Sequence, residues 1–282
     1  MICYVIIPVY NEEKTLGQTL ESLVNQSRVP DRILLVNDGS TDSTAMIIDD
    51  FSNKYDFIDC IHLHTESKHL PGEKVVNAFN KGLEQLDENY DLICKFDADL
   101  IFPKNYFEKL IEVFLQHPKI GIAGGLLFIK NQNKWIFENI ASKEHVRGPI
   151  KAYRKSCFKE IGELRPAIGW DTIDTLLAQY YKWETTTIED LHVKHLKPTG
   201  ASYTKASKLL LGERWYNMRY GLLLTFIASL KDSIRRSNIK ILFYSINGYM
   251  VAKRSGKTPV VTQDQGRFIR RLRWQAIRKK FI

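Results

Sequence analysis

No run of apolar residues in this sequence approaches the roughly 20 that a membrane-spanning helix needs. The longest candidates, 221–230 and 239–251, are short or interrupted by Asn247-Gly248 and suit core or membrane-interface helices better. Cysteine is scarce: Cys3, Cys60, Cys94 and Cys157 are scattered, mostly inside apolar runs, with no close pair. That argues against a disulfide framework or a zinc site and for buried free thiols in a reducing compartment. Internal repeats and low-complexity linkers are missing, and charged and apolar fractions of 26% and 44% are those of an ordinary globular chain. Residues 1–8 are too short for the apolar core of a signal peptide and lack a basic start, so they read as a strand and the expected location is the cytoplasm. Acid is nearly missing from the end of the chain. From 251 onward ten Lys and Arg residues face one acid, Asp264, and account for much of the net charge of +9.

What is present has a rhythm. Short β-branched runs at 2–7, 33–36, 58–63, 92–96 and 120–123 alternate with helical spacing, as in Leu16, Leu20, Leu23 and Val24, or Tyr106, Phe107, Leu110, Ile111, Phe114 and Leu115. Strand, helix, strand, helix predicts a mostly parallel sheet flanked by helices, with ligands at the carboxyl ends of the strands. After Gly125 the pattern changes to a strand at 149–153, a short helix at 157–161 and a longer helix marked by Ile173, Leu176, Leu177 and Tyr180. Beyond about Lys205 the chain reads as helical and basic, after a turn at Pro198-Thr199-Gly200.

The strand ends carry the chemistry. Asp97 and Asp99 follow the apolar run 92–96, and on an extended backbone they leave the same side. Two carboxylates that close repel unless a cation or proton lies between them, and a divalent metal with oxygen ligands meets that need while leaving room for phosphates. The plain alternative is a solvated acidic turn. Asp38 ends the second run and precedes Gly39, a position from which an acid accepts hydrogen bonds from ribose or base. Ser40 and Asp42 read instead as turn and cap residues for a helix starting near Ser43.

Taken in order, Ile6-Ile7-Pro8-Val9-Tyr10-Asn11-Glu12-Glu13, Val36-Asn37-Asp38-Gly39-Ser40-Thr41-Asp42-Ser43 and Phe96-Asp97-Ala98-Asp99 closely resemble the family 2 glycosyltransferases of the GT-A fold. Ala78-Phe79-Asn80-Lys81-Gly82 looks like that family's Ala-x-Asn-x-Gly helix, with its usual Lys appearing one place early as Lys74. The resemblance covers roughly residues 1–200 and implies an α/β GT-A domain over 1–204, with a nucleotide-sugar half at 1–125 and an acceptor half at 126–204, then a helical basic extension over 205–282. It implies an inverting, metal-dependent transfer of a sugar from a nucleotide sugar, UDP-linked by family precedent, to a hydroxyl on a glycan or lipid-linked acceptor. Pro8, Tyr10, Glu12 and Asp38 would line the nucleoside pocket, with Lys74 and Asp97 joining the donor contacts. Asp99 with Asp97 would hold Mn²⁺ or Mg²⁺ against the diphosphate, and His195, ahead of Pro198, matches a further metal ligand of the family.

The resemblance also asks for a base. Aligning the family's Glu-Asp pair puts Asp171 in that position and Trp170 where the Glu belongs, with Asp174 a rival. Asp171 and Asp174 would equally serve as helix-capping residues with no chemistry. Arg214 and Arg219 either reach the diphosphate or flank the Trp215/Met218 face of a helix, and Arg147-Gly148-Pro149 is placed near the acceptor. Two other readings remain: a phosphatase of the haloacid dehalogenase type, which also places Asp-x-Asp after a strand, and a non-catalytic nucleotide- or glycan-binding relative, for which Trp170 speaks.

In the basic tail, Phe268, Ile269, Leu272 and Ala276 share one helical face while Trp274, Ile277 and Phe281 fall on another. Arg and Lys mixed with Trp and Phe resemble an interfacial anchor, so contact with an anionic membrane surface at the inner face of the cell membrane is an expectation for 264–282. The alternative is a solvated terminus that partly packs on the rest of the chain. No reader motif accompanies the charge, and no nucleic acid is expected.

Overall fold

The computed structural model describes residues 1–63, 72–198 and 205–279, with side chains for all but 205–209. Thr199 and Gly200 of the expected turn, and Lys280 and Phe281 of the tail, lie outside the described residues. The chain divides into two units, Met1–His69, Val75–Leu164 and Tyr181–Ala201 forming the first and Leu70–Lys74, Arg165–Tyr180 and Ser202–Ile282 the second.

The first unit follows the alternation in the sequence: β1 (Cys3–Val9), α1 (Leu16–Val24), β2 (Arg32–Asp38), α2 (Thr44–Lys54), β3 (Ile58–Leu63), α3 (Glu73–Leu83, whose first residues group with the second unit), β4 (Leu92–Phe96), β5 (Leu100–Ile101), α4 (Tyr106–Gln116), β6 (Ile120–Asn131), β7 (Lys134–Phe137), β8 (Ile150–Arg154) and α5 (Lys155–Glu160). After α6 (Trp170–Tyr180), which belongs to the second unit, β9 (Glu184–His195) returns to the sheet. The strand order is β3-β2-β1-β4-β8-β6-β9-β5, with β7 on β6.

Strands β3, β2, β1 and β4 are parallel. β1, β2 and β4 are buried on both faces and are the continuous apolar runs that parallel strands need, while β3, at the end of the sheet, is only half-buried and carries Asp59 and His62 among its apolar residues. From β8 onward the sheet is mixed: β8 is antiparallel to β4 and β6, β6 parallel to β9, and β5 antiparallel to β9. Growth of the sheet starts at β1, runs outward to β3, then resumes on the other side of β1 with β4. That reversal makes the carboxyl ends of β1 and β4 a topological switch point, the place where open α/β sheets bind ligands.

Leu16, Leu20 and Leu23 of α1 and Tyr106, Phe107, Leu110, Ile111 and Phe114 of α4 enter the core on the faces their spacing predicts. Leu115 does not; it is 62% exposed, because a continuous 3.6-residue turn carries it past the apolar face. Gly82 explains the Ala-x-Asn-x-Gly pattern: a Cβ there would come within 2.7 Å of Val36 and 2.9 Å of Ile6, so its absence lets α3 lie close on β1 and β2.

The second unit joins α6 to α7 (Lys205–Asn217), α8 (Leu222–Arg235), α9 (Lys240–Arg254) and α10 (Gln263–Arg278). Residues 165–180 thus group with the C-terminal helices rather than with the sheet. A Cβ on Gly212 would strike the backbone of Ser245 and Tyr249, so α7 and α9 approach closely there. Helix α10 opens with a capping box between Thr262 and Gln265 and buries Ile269; Arg270 donates to the Arg219 carbonyl at 2.7 Å and Arg273 to the Tyr220 hydroxyl at 2.7 Å. The tail is therefore packed along one side within its unit. Among the described residues no helix is long and apolar enough to cross a membrane.

Candidate active site

Two loops at the ends of β1 and β2 are stitched together. Asn11, at a left-handed φ of 53°, gives its N–H to Ser40 Oγ at 3.0 Å and accepts the N–H of Thr41 at 2.8 Å; Glu12 N–H goes to Thr44 Oγ1 at 2.8 Å. The Glu12 carboxylate is held by Thr15 Oγ1 and Lys197 Nζ, each at 2.5 Å. Pro8 lies in β1 opposite Val36, Tyr10 is exposed at the loop, and Asp38 ends β2 almost fully buried. Ser40 and Asp42 act as local turn partners as expected: Asn37 Oδ1 accepts the Ser40 N–H at 3.0 Å and Asp42 Oδ1 that of Thr44 at 3.0 Å.

Asn37 also explains a neighbouring cluster. Asp49, Cys60 and His62 bring three potential metal-ligand atoms within 4.8 Å. With its oxygen on Ser40, Asn37 donates Nδ2–H to His62 Nδ1 at 2.9 Å, which puts the imidazole proton on Nε2, where it is given to Asp49 at 3.0 Å. In this tautomer Nε2 is a donor, and the trio supports the Asp38 loop.

The two-aspartate segment departs from the sequence expectation. Strand β4 ends at Phe96 and the chain bends through Asp97–Asp99 before β5, so the side chains do not alternate along a strand; each carboxylate meets a different cation. Lys95, nearly fully buried on β4, pairs with Asp97. Asp99 faces His195, with Oδ2 and Nε2 3.5 Å apart. Thr19, wholly buried on α1, holds the bend from beneath: its hydroxyl donates to the Ala98 carbonyl at 2.9 Å and accepts the Leu100 N–H at 3.0 Å.

His195 reaches Asp99 because β5, only two residues long, pairs Leu100 with His195. On its other side the imidazole Nδ1 lies 3.1 Å from Glu138 Oε2, and Arg147 pairs with the same oxygen at 3.3 Å. Burial pushes the His195 pKa down, but hydrogen bonds and charges from Asp99 and Glu138 outweigh it and hold the value up at about 9.

Asp171 and Lys74 belong to the second unit. Asp171 is partly exposed in the first turn of α6, and Gly169, at φ 80°, occupies the position just before that helix. Asp174 is buried, its carboxylate accepting the N–H of Thr175 at 2.5 Å. Trp170 is buried too. Arg214 pairs with Asp232 and stacks on Trp215, while Arg219 donates Nε–H to the Val261 carbonyl at 2.8 Å. Within their unit Arg214 is thus taken up by an ion pair and a ring contact, and Arg219 is anchored by one of its N–H donors.

A model of glycosyl transferase family 2 matches residues 4–168, more than half of the chain and all of the strand ends from β1 to β8. The chain belongs to that family. Among curated relatives, it is 33% identical over 144 residues to the probable glycosyltransferase YdaM of Bacillus subtilis (strain 168), covering 50% of this chain and 33% of that protein. It is 27% identical over 186 residues to the poly-beta-1,6-N-acetyl-D-glucosamine synthase of Staphylococcus epidermidis, covering 59% of this chain and 41% of the synthase. The chain thus spans a third to two fifths of the length of these relatives. Among solved structures, S. aureus TarS 1–349 in complex with UDP-GlcNAc aligns with a TM-score of 0.60 at 18% identity, over 88% of this chain and 79% of TarS. Mannosyltransferase PcManGT from Pyrobaculum calidifontis, in complex with GDP-Man and Mn2+, aligns at 0.59 and 16%, over 92% and 77%. At such identities the likeness is one of fold, which is the GT-A glycosyltransferase fold expected from the sequence.

Family membership replaces the phosphatase reading. Three residues of the cluster were not found from sequence. Lys95 left a signal, a cation inside an apolar strand two residues before an acid, since a buried Lys needs a partner. Thr19 and Glu138 left none: each matters through a contact with a residue more than 55 positions away.

Proposed function

We propose that this family 2 glycosyltransferase moves a sugar from a nucleoside diphosphate sugar, UDP-linked in the first instance, to an acceptor hydroxyl with inversion and with help from a divalent cation. The observation that supports this most is the meeting of Asp99 Oδ2 and His195 Nε2, both buried, at 3.5 Å. One carboxylate oxygen and one imidazole nitrogen at that separation suit two ligands of one cation of the Mn²⁺ type, and Glu138 on Nδ1 fixes the ring as a carboxylate does behind many metal-bound histidines. Asp99 and His195 would hold the ion, with Asp97, already neutralised by Lys95, the lesser contributor. When bound, the ion supplies Lewis-acid stabilisation of the departing diphosphate.

The chain's own residues do the rest. Glu12 and Asp38 take hydrogen bonds from the nucleoside, Pro8 and Tyr10 flank it, and Lys74 joins the donor contacts on the resemblance alone. Asp171 accepts the proton of the acceptor hydroxyl as its oxygen bonds the anomeric carbon and the bond from that carbon to the diphosphate breaks. Burial and the bond to Thr175 make Asp174 the poorer base. UDP-GlcNAc in the TarS complex and GDP-Man with Mn2+ in the PcManGT complex support the donor and metal classes. The synthase relative supports a place in polysaccharide or glycolipid assembly, and the buried thiols of Cys3, Cys94 and Cys157 go with a cytoplasmic location.

Purified protein incubated with a panel of nucleotide sugars and Mn²⁺ tests this by release of nucleoside diphosphate. Release with one donor, abolished by EDTA and by Asp99→Ala, supports the reading; no donor binding by calorimetry with any member of the panel sinks it. Asp171→Asn should abolish transfer and keep donor binding. Trp170 in place of an acid favours a second reading, a donor-binding relative without transfer, and binding without turnover across donors and acceptors would select it.

A further inference from the structure

The second unit contains a cleft that no step of the proposed transfer uses. It encloses about 430 Å³ and is lined by Arg219, Lys253, Arg267 and Arg270 together with Tyr216 and Tyr249. Among the described residues no carboxylate lines it; Asp264 pairs with Arg267 beside it. Arg219 and Arg270 are pinned through backbone carbonyls, each by one of five N–H donors, so their guanidinium groups stand in place with donors beyond the one so used. Helix α10 starts at the cleft with Gln263 and adds the positive end of its dipole. Fixed guanidinium groups, a lysine and a helix N-terminus form a receptor for a phosphate-bearing anion.

The rim says what carries that phosphate. Gly221 lines the cleft, and the next residues, Leu222 and Leu223, are exposed, Leu223 at 63%. Leu223, Phe226 and Ile234 recur close to whole-turn spacing along α8 and all face solvent, Ile234 at 70%. Apolar side chains next to a concentration of cations are the mark of a surface that lies in a bilayer interface.

We propose that this cleft receives the phosphate head of an anionic membrane lipid, with Leu222, Leu223 and Phe226 seated at the acyl boundary. A second copy docked on the same face would oppose like charges, which disfavours a symmetric dimer there. The sequence located membrane contact in 264–282. Helix α10 instead turns Ile269 and Arg273 inward, and its part is to present Arg267 and Arg270 to the cleft.

Flotation with vesicles of phosphatidylcholine, alone or with one-third phosphatidylglycerol, is the test. The protein should bind the mixed vesicles and not the neutral ones. Lys253→Gln with Arg267→Gln, both changed at exposed side chains, should weaken binding by roughly fivefold for each cation removed. Leu222→Ser with Leu223→Ser should also release the protein from vesicles while leaving binding of soluble glycerol phosphate, followed by calorimetry, unchanged. Equal binding to neutral vesicles, or wild-type binding by the cation variant, would overturn the proposal. Binding of inorganic phosphate or glycerol phosphate without any vesicle binding would overturn the lipid assignment. A wild-type dimer that Leu222→Ser/Leu223→Ser converts to monomer in sedimentation would assign the face to a second copy instead.

Discussion

Thr19 donates its hydroxyl to the carbonyl of Ala98 at 2.9 Å, and this bond ties helix α1 to the bend that carries Asp97 and Asp99. The same oxygen accepts from Leu100, so one buried side chain satisfies both ends of the bend. Thr19→Val keeps the shape and leaves the Leu100 N–H without its acceptor. The expected loss is about 1–3 kcal/mol in urea unfolding, with weaker Mn²⁺-dependent nucleotide binding, and Thr19→Ser should recover most of both. Normal stability and binding in Thr19→Val would remove the bend from the account.

Glu138 acts on His195 rather than on substrate. Glu138→Gln retains an acceptor for Nδ1 and removes the charge; Glu138→Ala removes both. Mn²⁺ affinity, read from the electron paramagnetic resonance of the free ion, should fall about ten- to a hundredfold in the alanine variant and less in the glutamine variant. Equal affinities in both variants and wild type would leave Glu138 with a role only in pairing Arg147.

Metal and nucleotide should stabilise the protein together. At a hundredfold excess over its dissociation constant a ligand adds about 2.7 kcal/mol to unfolding. A thermal shift from UDP should therefore appear with Mn²⁺, vanish with EDTA, and be missing in Asp99→Asn. A full shift in EDTA would show that nucleotide binding runs without the ion.

Gly82 tests the helix packed on β1 and β2. Gly82→Ala places a methyl 2.7 Å from Val36 Cγ2 and 2.9 Å from Ile6 Cγ2, both core side chains that cannot swing away. Helix propensity favours Ala by about 1 kcal/mol, and overpacking costs about 1–3 kcal/mol, so a net loss of up to about 2 kcal/mol is expected in chemical unfolding. A gain in stability would mean α3 shifts freely over the sheet.

The parallel half of the fold was legible because burial on both faces of β1, β2 and β4 forces one kind of sequence, the short apolar run, and because polar residues with chemistry stand at or just after the ends of those strands: Tyr10 and Glu12, Asp38, and Asp97 with Asp99. The mixed half was less so. Residues 184–195 form one long strand whose run Glu184-Thr185-Thr186-Thr187 is polar, and its pairing with β6 and β5 reveals it. Asp38, Asp97 and Asp99 were legible as candidates because their positions at or just after strand ends are a local property. Glu138 was invisible because it follows a four-residue strand that pairs at the rim of the sheet and reaches His195 only through the fold.

Strand β5 is two residues long, yet it sets Leu100 opposite His195 and so fixes which side of the chain the imidazole leaves. Pairing has a period of two, and a slip of one residue would turn His195 away and aim Lys194 or Leu196 at Asp99. The segment 191–195 is thus a ruler rather than a tether. Insertions around Asn131–Lys134, where β6 and β7 are joined by a two-residue turn on the exposed edge, should pass with little effect on activity. A single residue added or removed between Leu191 and His195 should abolish it, while the strand itself still forms.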